Sequence, residues 1–200
     1  MSNKLFSRFH SLAFITILLL AISVSVQAGE FKNLPSIKNF GHINDNYYRG
    51  AQPQNQDYAD LAALGIRTVI NLTSDDAEAN EKMMVENAGM KYYQIPMNTH
   101  VPPTTAQLTE FLEIVNDSAS QPVYVHCVGG RHRTGVMTAV YRMMNGWDAG
   151  RAYKEMKQYD FGPGFLHSEF KNFVFDYYDE VIVAKSAPSP AVVTAKTAGN

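Results

Sequence analysis

Cysteine is almost missing from this 200-residue chain: Cys127 stands alone. A disulfide framework within the chain is therefore excluded, and the single thiol is either a packing residue or a reactive group. A surplus of positive charge is missing too. Seventeen Lys and Arg face 19 Asp and Glu, a net of −2, so no global basic face points to nucleic acid. Charged residues make up 18% and hydrophobic ones 46%, which excludes a wholly disordered or collagen-like chain. Metal-ligand spacing is lacking as well. Beyond the N-terminal segment the histidines fall at 42, 100, 126, 132 and 167, scattered rather than paired as a metal site would need. No metal and no cofactor is expected.

Two hundred residues is room for one domain with appendages. The ends separate first. Lys4 and Arg8 precede an uncharged stretch, 12–26, that closes on Val26-Gln27-Ala28. A positive start, an apolar run and a small-residue exit are the layout of a secretory signal peptide. Fifteen uncharged, mostly apolar residues fall short of the ~20 that a membrane-spanning helix requires. Residues 1–28 are therefore expected to be a cleaved signal, which places the protein in the periplasm or outside the cell, with no transmembrane span left. Residues 184–200 are mostly Ala, Pro, Ser, Thr and Lys without an aromatic and are expected to be a flexible tail. What remains, 29–183, keeps 13 basic residues against all 19 acidic ones, a net of −6. An anionic substrate would then need a local basic pocket rather than a basic face.

The core alternates strand and helix. Thr68-Val69-Ile70-Asn71-Leu72 and Val123-Tyr124-Val125-His126 are short, β-branched and apolar nearly throughout, as in parallel strands buried on both faces. Tyr92-Tyr93-Gln94-Ile95 reads as a third strand, and Tyr47-Tyr48-Arg49 as an edge strand. Helices are expected over 57–64 and 75–88, each closed by a glycine. Thr104 and Gln107 form a capping box ahead of a third helix. Further helices are expected over 133–145, from Asp148 to about Tyr159, and from Ser168 with a stripe running Phe170, Phe173, Val174, Tyr177, Tyr178, Val181 and Ile182. Trp147 reads as core packing. The fold class is a single α/β domain, a central, mainly parallel sheet flanked by helices.

Residues 123–135 read Val-Tyr-Val-His-Cys-Val-Gly-Gly-Arg-His-Arg-Thr-Gly. A buried strand ends at His126, a six-residue loop follows, and a helix opens at Arg133. Such a loop forms a concave nest of backbone N–H groups for an anion. Val128, Gly129, Gly130, Arg131 and His132 build its wall, and the glycines let the backbone bend tightly. Arg133 offers a planar fork to two phosphate oxygens. Cys127 sits at the rim, where N–H dipoles, a helix N-terminus and the arginine favour thiolate. In-line attack on phosphorus would give a cysteinyl-phosphate for water to hydrolyse. Thr134 would hydrogen-bond the departing sulfur, and His126 would orient the loop.

His-Cys, five residues, then Arg-Thr resembles the active-site motif of the cysteine-dependent protein tyrosine phosphatase superfamily. Tyr48-Arg49-Gly50-Ala51-Gln52-Pro53, Leu64-Gly65-Ile66-Arg67-Thr68-Val69-Ile70-Asn71-Leu72 and Ile95-Pro96-Met97 resemble its compact dual-specificity branch, bacterial members especially. The resemblance spans most of 42–160. It implies a dual-specificity phosphatase-like domain over 29–183 acting on phosphorylated protein, inositol phosphate or phospholipid head groups. Rhodanese-type sulfurtransferases resemble the same layout with a loop one residue shorter, which argues against sulfur transfer here. A catalytically weak phosphate-binding module of the same fold is the rival from another class.

One part of the family pattern is missing. The family's upstream loop supplies an aspartate that protonates the leaving oxygen. Here that stretch is Pro96-Met97-Asn98-Thr99-His100-Val101-Pro102-Pro103, without a carboxylate. Aligned on Pro102-Pro103 with tensin-type phosphoinositide phosphatases, Thr99 falls where the acid belongs. His100, His132, and Asp75 or Asp76 stand as alternative acids, beside the reading with no strong acid. Arg131, His132 and His100 would make the rim basic, which suits a substrate with more negative charge than one phosphotyrosine.

Overall fold

The computed structural model describes residues 36–74 and 77–184. The expected signal peptide, the acid candidates Asp75 and Asp76, and all but the first residue of the expected tail lie outside the described residues. The elements run β1 (Gly41–Asn44), β2 (Tyr47–Gly50), α1 (Asp57–Ala63), β3 (Thr68–Asn71), α2 (Glu81–Asn87), β4 (Lys91–Gln94), α3 (Thr105–Asn116), β5 (Val123–His126), α4 (Arg133–Met144), α5 (Ala149–Gln158) and α6 (Ser168–Tyr177). A π-helical turn, Tyr178–Val183, continues the last helix.

The sheet order is β1-β2-β5-β3-β4. Only β1 pairs antiparallel; β2, β5, β3 and β4 are parallel. Gly50 and Asn71 both register with His126, and Asn71 with Gln94, so four strands end along one edge of the sheet. The loops that follow them converge there, where open α/β sheets place their ligands.

Alternate residues of β5 feed opposite faces. Val123 and Val125 join a core with Ile70, Phe111 and Met137 under α3 and α4, while Tyr124 joins Val69, Tyr58, Leu61 and Val85 under α1 and α2. A further cluster packs α4, α5 and α6 through Val140, Met156, Phe170 and Val174. Truncating a fully buried aromatic such as Phe111 to alanine would cost about 3–5 kcal/mol.

Caps decide several ends. The capping box forms around Thr104, and the Gln107 amide also donates to Pro96 O at 2.6 Å, tying α3 to the loop after β4. The Asp148 carboxylate accepts from Arg151 N at 2.8 Å and opens α5.

Three expectations are corrected. Tyr47–Gly50 is an interior strand with all four residues buried, because β1, short and polar, covers its outer edge. The helix expected over 75–88 is α-helical only from Glu81; the buried carboxylate of Glu81 anchors its first turn. The last helix turns π-helical from Tyr178, but its stripe packs as expected, with Phe170, Val174 and Tyr177 buried and Phe173, Tyr178, Val181 and Ile182 partly buried against them. Trp147 is half-buried at the α4–α5 turn and sandwiched between Arg142 and Arg151, whose guanidinium carbons lie 4.2 and 3.6 Å from its ring centroid.

Candidate active site

The loop at 127–132 leaves the end of β5 and enters α4, and its shape is set from below. Three successive carbonyls are each held by the 39–52 segment. Val128 O accepts from Gln52 N at 3.2 Å, Gly129 O from Asn39 Nδ2 at 2.9 Å, and Gly130 O from Arg49 Nη2. In a trans peptide the N–H points opposite to the carbonyl. Drawing these three oxygens outward therefore turns the amides of Gly129, Gly130 and Arg131 inward, toward Cys127. Gly130 makes this possible. Its φ is +62°, and a Cβ there would fall 2.3 Å from Gly50 C and 2.5 Å from Ala51 N, so the loop rests directly on the turn after β2.

Arg49 is the unexpected member. It is fully buried and lies with its guanidinium carbon 4.0 Å over the Tyr159 ring. Its Nε and Nη1 meet no hydrogen-bond partner. Burial lowers its pKa from the ordinary arginine value, opposed by Tyr47, Tyr159 and the Cys127 thiolate.

A second clamp sits beside it. The buried carboxylate of Glu81 accepts from Gln52 Nε2 at 2.7 Å, from the Tyr58 hydroxyl at 3.2 Å and from Asn71 Nδ2. His126 Nε2 stands 2.9 Å from the same group. Burial alone would raise the Glu81 carboxyl; the contacts with His126, Gln52 and Tyr58 overcome it and hold the group below its ordinary value. Glu81 thus gathers β3, β5 and the turn after β2 just beneath the loop.

The sulfur faces the concave side. Burial pushes the Cys127 thiol up, but the Thr134 hydroxyl, the Thr134 amide, the Arg133 charge and the Arg131 amide more than reverse it, leaving the pKa lowered. The Thr134 hydroxyl is fully buried beside the sulfur and contributes most to favouring the thiolate. Arg133 is 3% exposed, and its Nη1 donates to Met97 O at 3.2 Å, which fixes the fork against the loop after β4.

Cys127, Val128, Gly129, Arg131, His132 and Arg133, together with Thr99, line a cavity of about 190 Å³. That is smaller than the ~300–1,000 Å³ of a drug-sized ligand site and suits one anionic group with its first attached atoms. Gly130 does not line it; it works from the underside.

His132 departs from the expectation of a positive group. Burial first, then His167, Arg131 and Arg133, push its pKa down to about 4. Its ring is therefore neutral near pH 7. Nε2 lies 3.0 Å from Phe161 O, and the His167 ring is centred 3.6 Å away. A carbonyl partner requires Nε2 to be the donor, so this proton is committed and is not at hand for a leaving oxygen. His100 is exposed and lines a neighbouring cleft of about 50 Å³ with Leu166 and His167. The structure does not bring His100 into the Cys127 cavity; Thr99, from the same loop, stands there instead. No carboxylate is among the described residues lining that cavity.

Asn39, Arg49, Gln52, Asn71 and Glu81 escaped the sequence reading as parts of the site. One signal was available: a charged residue inside an apolar strand is expensive to bury unless it is bonded, and Arg49 sits in such a strand.

A strand-ended sheet edge bearing a Cys-x5-Arg anion loop defines a class of protein, and the sequence places the chain within it. This chain belongs to the tyrosine phosphatase family, whose profile matches residues 35–196. It is 30% identical over 129 residues to the dual specificity protein phosphatase TpbA of Pseudomonas aeruginosa, covering 64% of this chain and 57% of that protein. It is 27% identical over 129 residues to the inositol diphosphatase SIW14 of Saccharomyces cerevisiae, covering 62% of this chain and 46% of that one. The chain thus spans about half the length of these curated relatives. The crystal structure of TpbA superposes with a TM-score of 0.63 at 27% identity, covering 78% of this chain and 94% of that one. The SIW14 catalytic core, crystallised with citrate, has the same fold, with a TM-score of 0.63 at 24% identity over 76% of this chain and 94% of that one.

Proposed function

We propose that this protein is an exported, cysteine-dependent phosphatase that hydrolyses phosphate monoesters through a cysteinyl-phosphate intermediate. The observation that carries the reading is the Cys127 thiol, lowered in pKa and facing inward-turned amides beside the buried fork of Arg133. A phosphoryl group seated there presents phosphorus to the sulfur, with its oxygens on the amides and on Arg133. In the first step the S–P bond forms as the ester P–O bond breaks, and the leaving oxygen carries off the electron pair. In the second, water attacks phosphorus, the S–P bond breaks, and the thiolate departs into the hydrogen bond from Thr134. His126, locked against Glu81, orients the loop and takes no proton.

Among the described residues no carboxylate lines the cavity, and this shapes the choice of substrate. Without a strong acid beside the leaving oxygen, turnover depends on how well the leaving group carries negative charge. Aryl phosphates and phosphoanhydrides are favoured over alkyl phosphates. Phosphotyrosine, an aryl ester, fits this preference better than phosphoserine, and among inositol phosphates the anhydride of an inositol diphosphate fits it better than the alkyl monoesters. The layout of residues 1–28 supports export to the periplasm or the medium. Mass spectrometry of the protein recovered from cells would then find an N-terminus at Gly29, and retention of Met1–Ala28 would refute export.

Cys127→Ser tests the chemistry. Hydrolysis of p-nitrophenyl phosphate should fall to background while binding of inorganic phosphate persists; undiminished hydrolysis would refute the reading. The absence of a carboxylate among the described lining residues favours one rival, a phosphate-binding module with no useful turnover. A rapid-mixing experiment separates the two, since the phosphatase shows continuing release of p-nitrophenol and the binder shows neither burst nor turnover.

A further inference from the structure

The Cys127 cavity is not an isolated pit. It shares the walls Val128, Gly129 and Arg131 with a cavity of about 500 Å³ whose other side carries Lys38 and Asp160. The Arg131 side chain forms the divide. It folds back across Gly129, where an added Cβ would meet Arg131 Nε at 3.0 Å and Nη2 at 3.4 Å, so its guanidinium borders both spaces. Lys38 is fixed to the same framework. Ala51 N donates to Lys38 O at 2.9 Å, and Ala51 belongs to the turn on which Gly130 rests. Asn39, next in sequence, donates to Gly129 O. The lysine backbone and the anion loop are thus held in one rigid relation, even though the Lys38 side chain itself is exposed.

Past Lys38 the space continues into another cavity of about 500 Å³ that ends on Asp57 and Glu78. The charge along the groove therefore changes sign: Arg133 and Arg131, then Lys38, then two carboxylates. Asp160 closes the second cavity on its other side. The basic stretch of the groove is thus confined to Arg131 and Lys38, between the Cys127 cavity and the acidic residues farther out.

We propose that Lys38 and Arg131 form a second anion subsite next to the Cys127 cavity, so that the substrate is a compact phosphoester bearing a second phosphate close to the one removed. This rests on the phosphatase reading above and names its substrate class. A monophosphate fills only the first cavity and leaves Lys38 unused.

The test measures inhibition of p-nitrophenyl phosphate hydrolysis by myo-inositol hexakisphosphate and by inorganic phosphate, using wild type, Lys38→Glu and Lys91→Glu. Lys91 opens β4 at the opposite end of the sheet, so Lys91→Glu makes the same change of net charge away from the groove. Lys38→Glu should weaken inhibition by the hexakisphosphate about tenfold, since it sets like charges against each other. Inhibition by phosphate and turnover of p-nitrophenyl phosphate should hold, and Lys91→Glu should alter neither. Phosphatidylcholine vesicles carrying phosphatidylinositol bisphosphate, run in parallel, distinguish a lipid source from a soluble one. A Lys38 dependence of either competitor supports the subsite. Equal losses in both variants, or none in Lys38→Glu for either competitor, would overturn it. Failure of the underlying reading looks different: wild type then shows no turnover at all, and the substrate and its subsite fall together.

Discussion

The underside of the anion loop and its rim are built on opposite terms. Below, Arg49, Glu81, His126 and Asn71 are all fully buried, and their bonds join β2, β3, β5 and α2. Above, Arg131, His100, Phe165 and Leu166 are exposed, Phe165 by 80%. The underside holds the amides in place before any ligand arrives, which is how electrostatic stabilisation avoids reorganisation during reaction. The rim is free to set which phosphoester is chosen. The comparison separates chemistry, set by buried bonds, from selectivity, set by exposed charge.

Substitutions on the underside should then cost most. Glu81→Ala would strand buried donors from Gln52, Tyr58, Asn71 and His126, and should lower stability by about 3–5 kcal/mol, read from denaturant unfolding. A loss near zero would mean that the clamp is ornamental. Arg49→Met removes the bond to Gly130 O and the charge beneath the thiolate. A misplaced loop of this kind should cut kcat about 10²-fold, with a smaller change in KM, and raise the pH at which iodoacetamide begins to alkylate Cys127. Arg49→Lys should recover part of the loss. An unchanged alkylation profile in Arg49→Met would confine Arg49 to packing.

The smallest effects belong to the rim. His132 protonates near pH 4 in the folded protein against 6.5 ordinarily. Between those values the unfolded chain binds a proton that the folded one refuses, so stability falls as pH drops from about 6.5 toward 4. His132→Gln keeps a donor for Phe161 O and should flatten this part of the Tm-versus-pH curve; an identical slope would contradict it. His100→Ala should alter p-nitrophenyl phosphate turnover by less than about twofold, as surface changes away from bonded groups generally do.

Local features were legible in the chain. The strand Val123–His126, the capping box at Thr104, the Asp148 cap and the loop from Cys127 to Arg133 each depend on neighbours within a few residues. Features that depend on distant partners were not. Arg49 bonds a carbonyl 81 residues away, and Glu81 meets groups 10 to 45 residues off, so neither shows its role in local spacing. The same reason misplaced β2 at the sheet edge, since the strand that covers it is too short and polar to announce itself. His132 looked cationic because its type suggests a charge, and its burial, with His167, Arg131 and Arg133 beside it, removes that charge.

The central claim is that Cys127 carries the phosphoryl group. Acid-quenching the enzyme during turnover of p-nitrophenyl phosphate and mapping its peptides by mass spectrometry tests this directly. The account predicts one added phosphoryl group on the peptide containing Cys127, absent from Cys127→Ser. Sustained turnover with that peptide unmodified, or with the phosphoryl group on another residue, would contradict it.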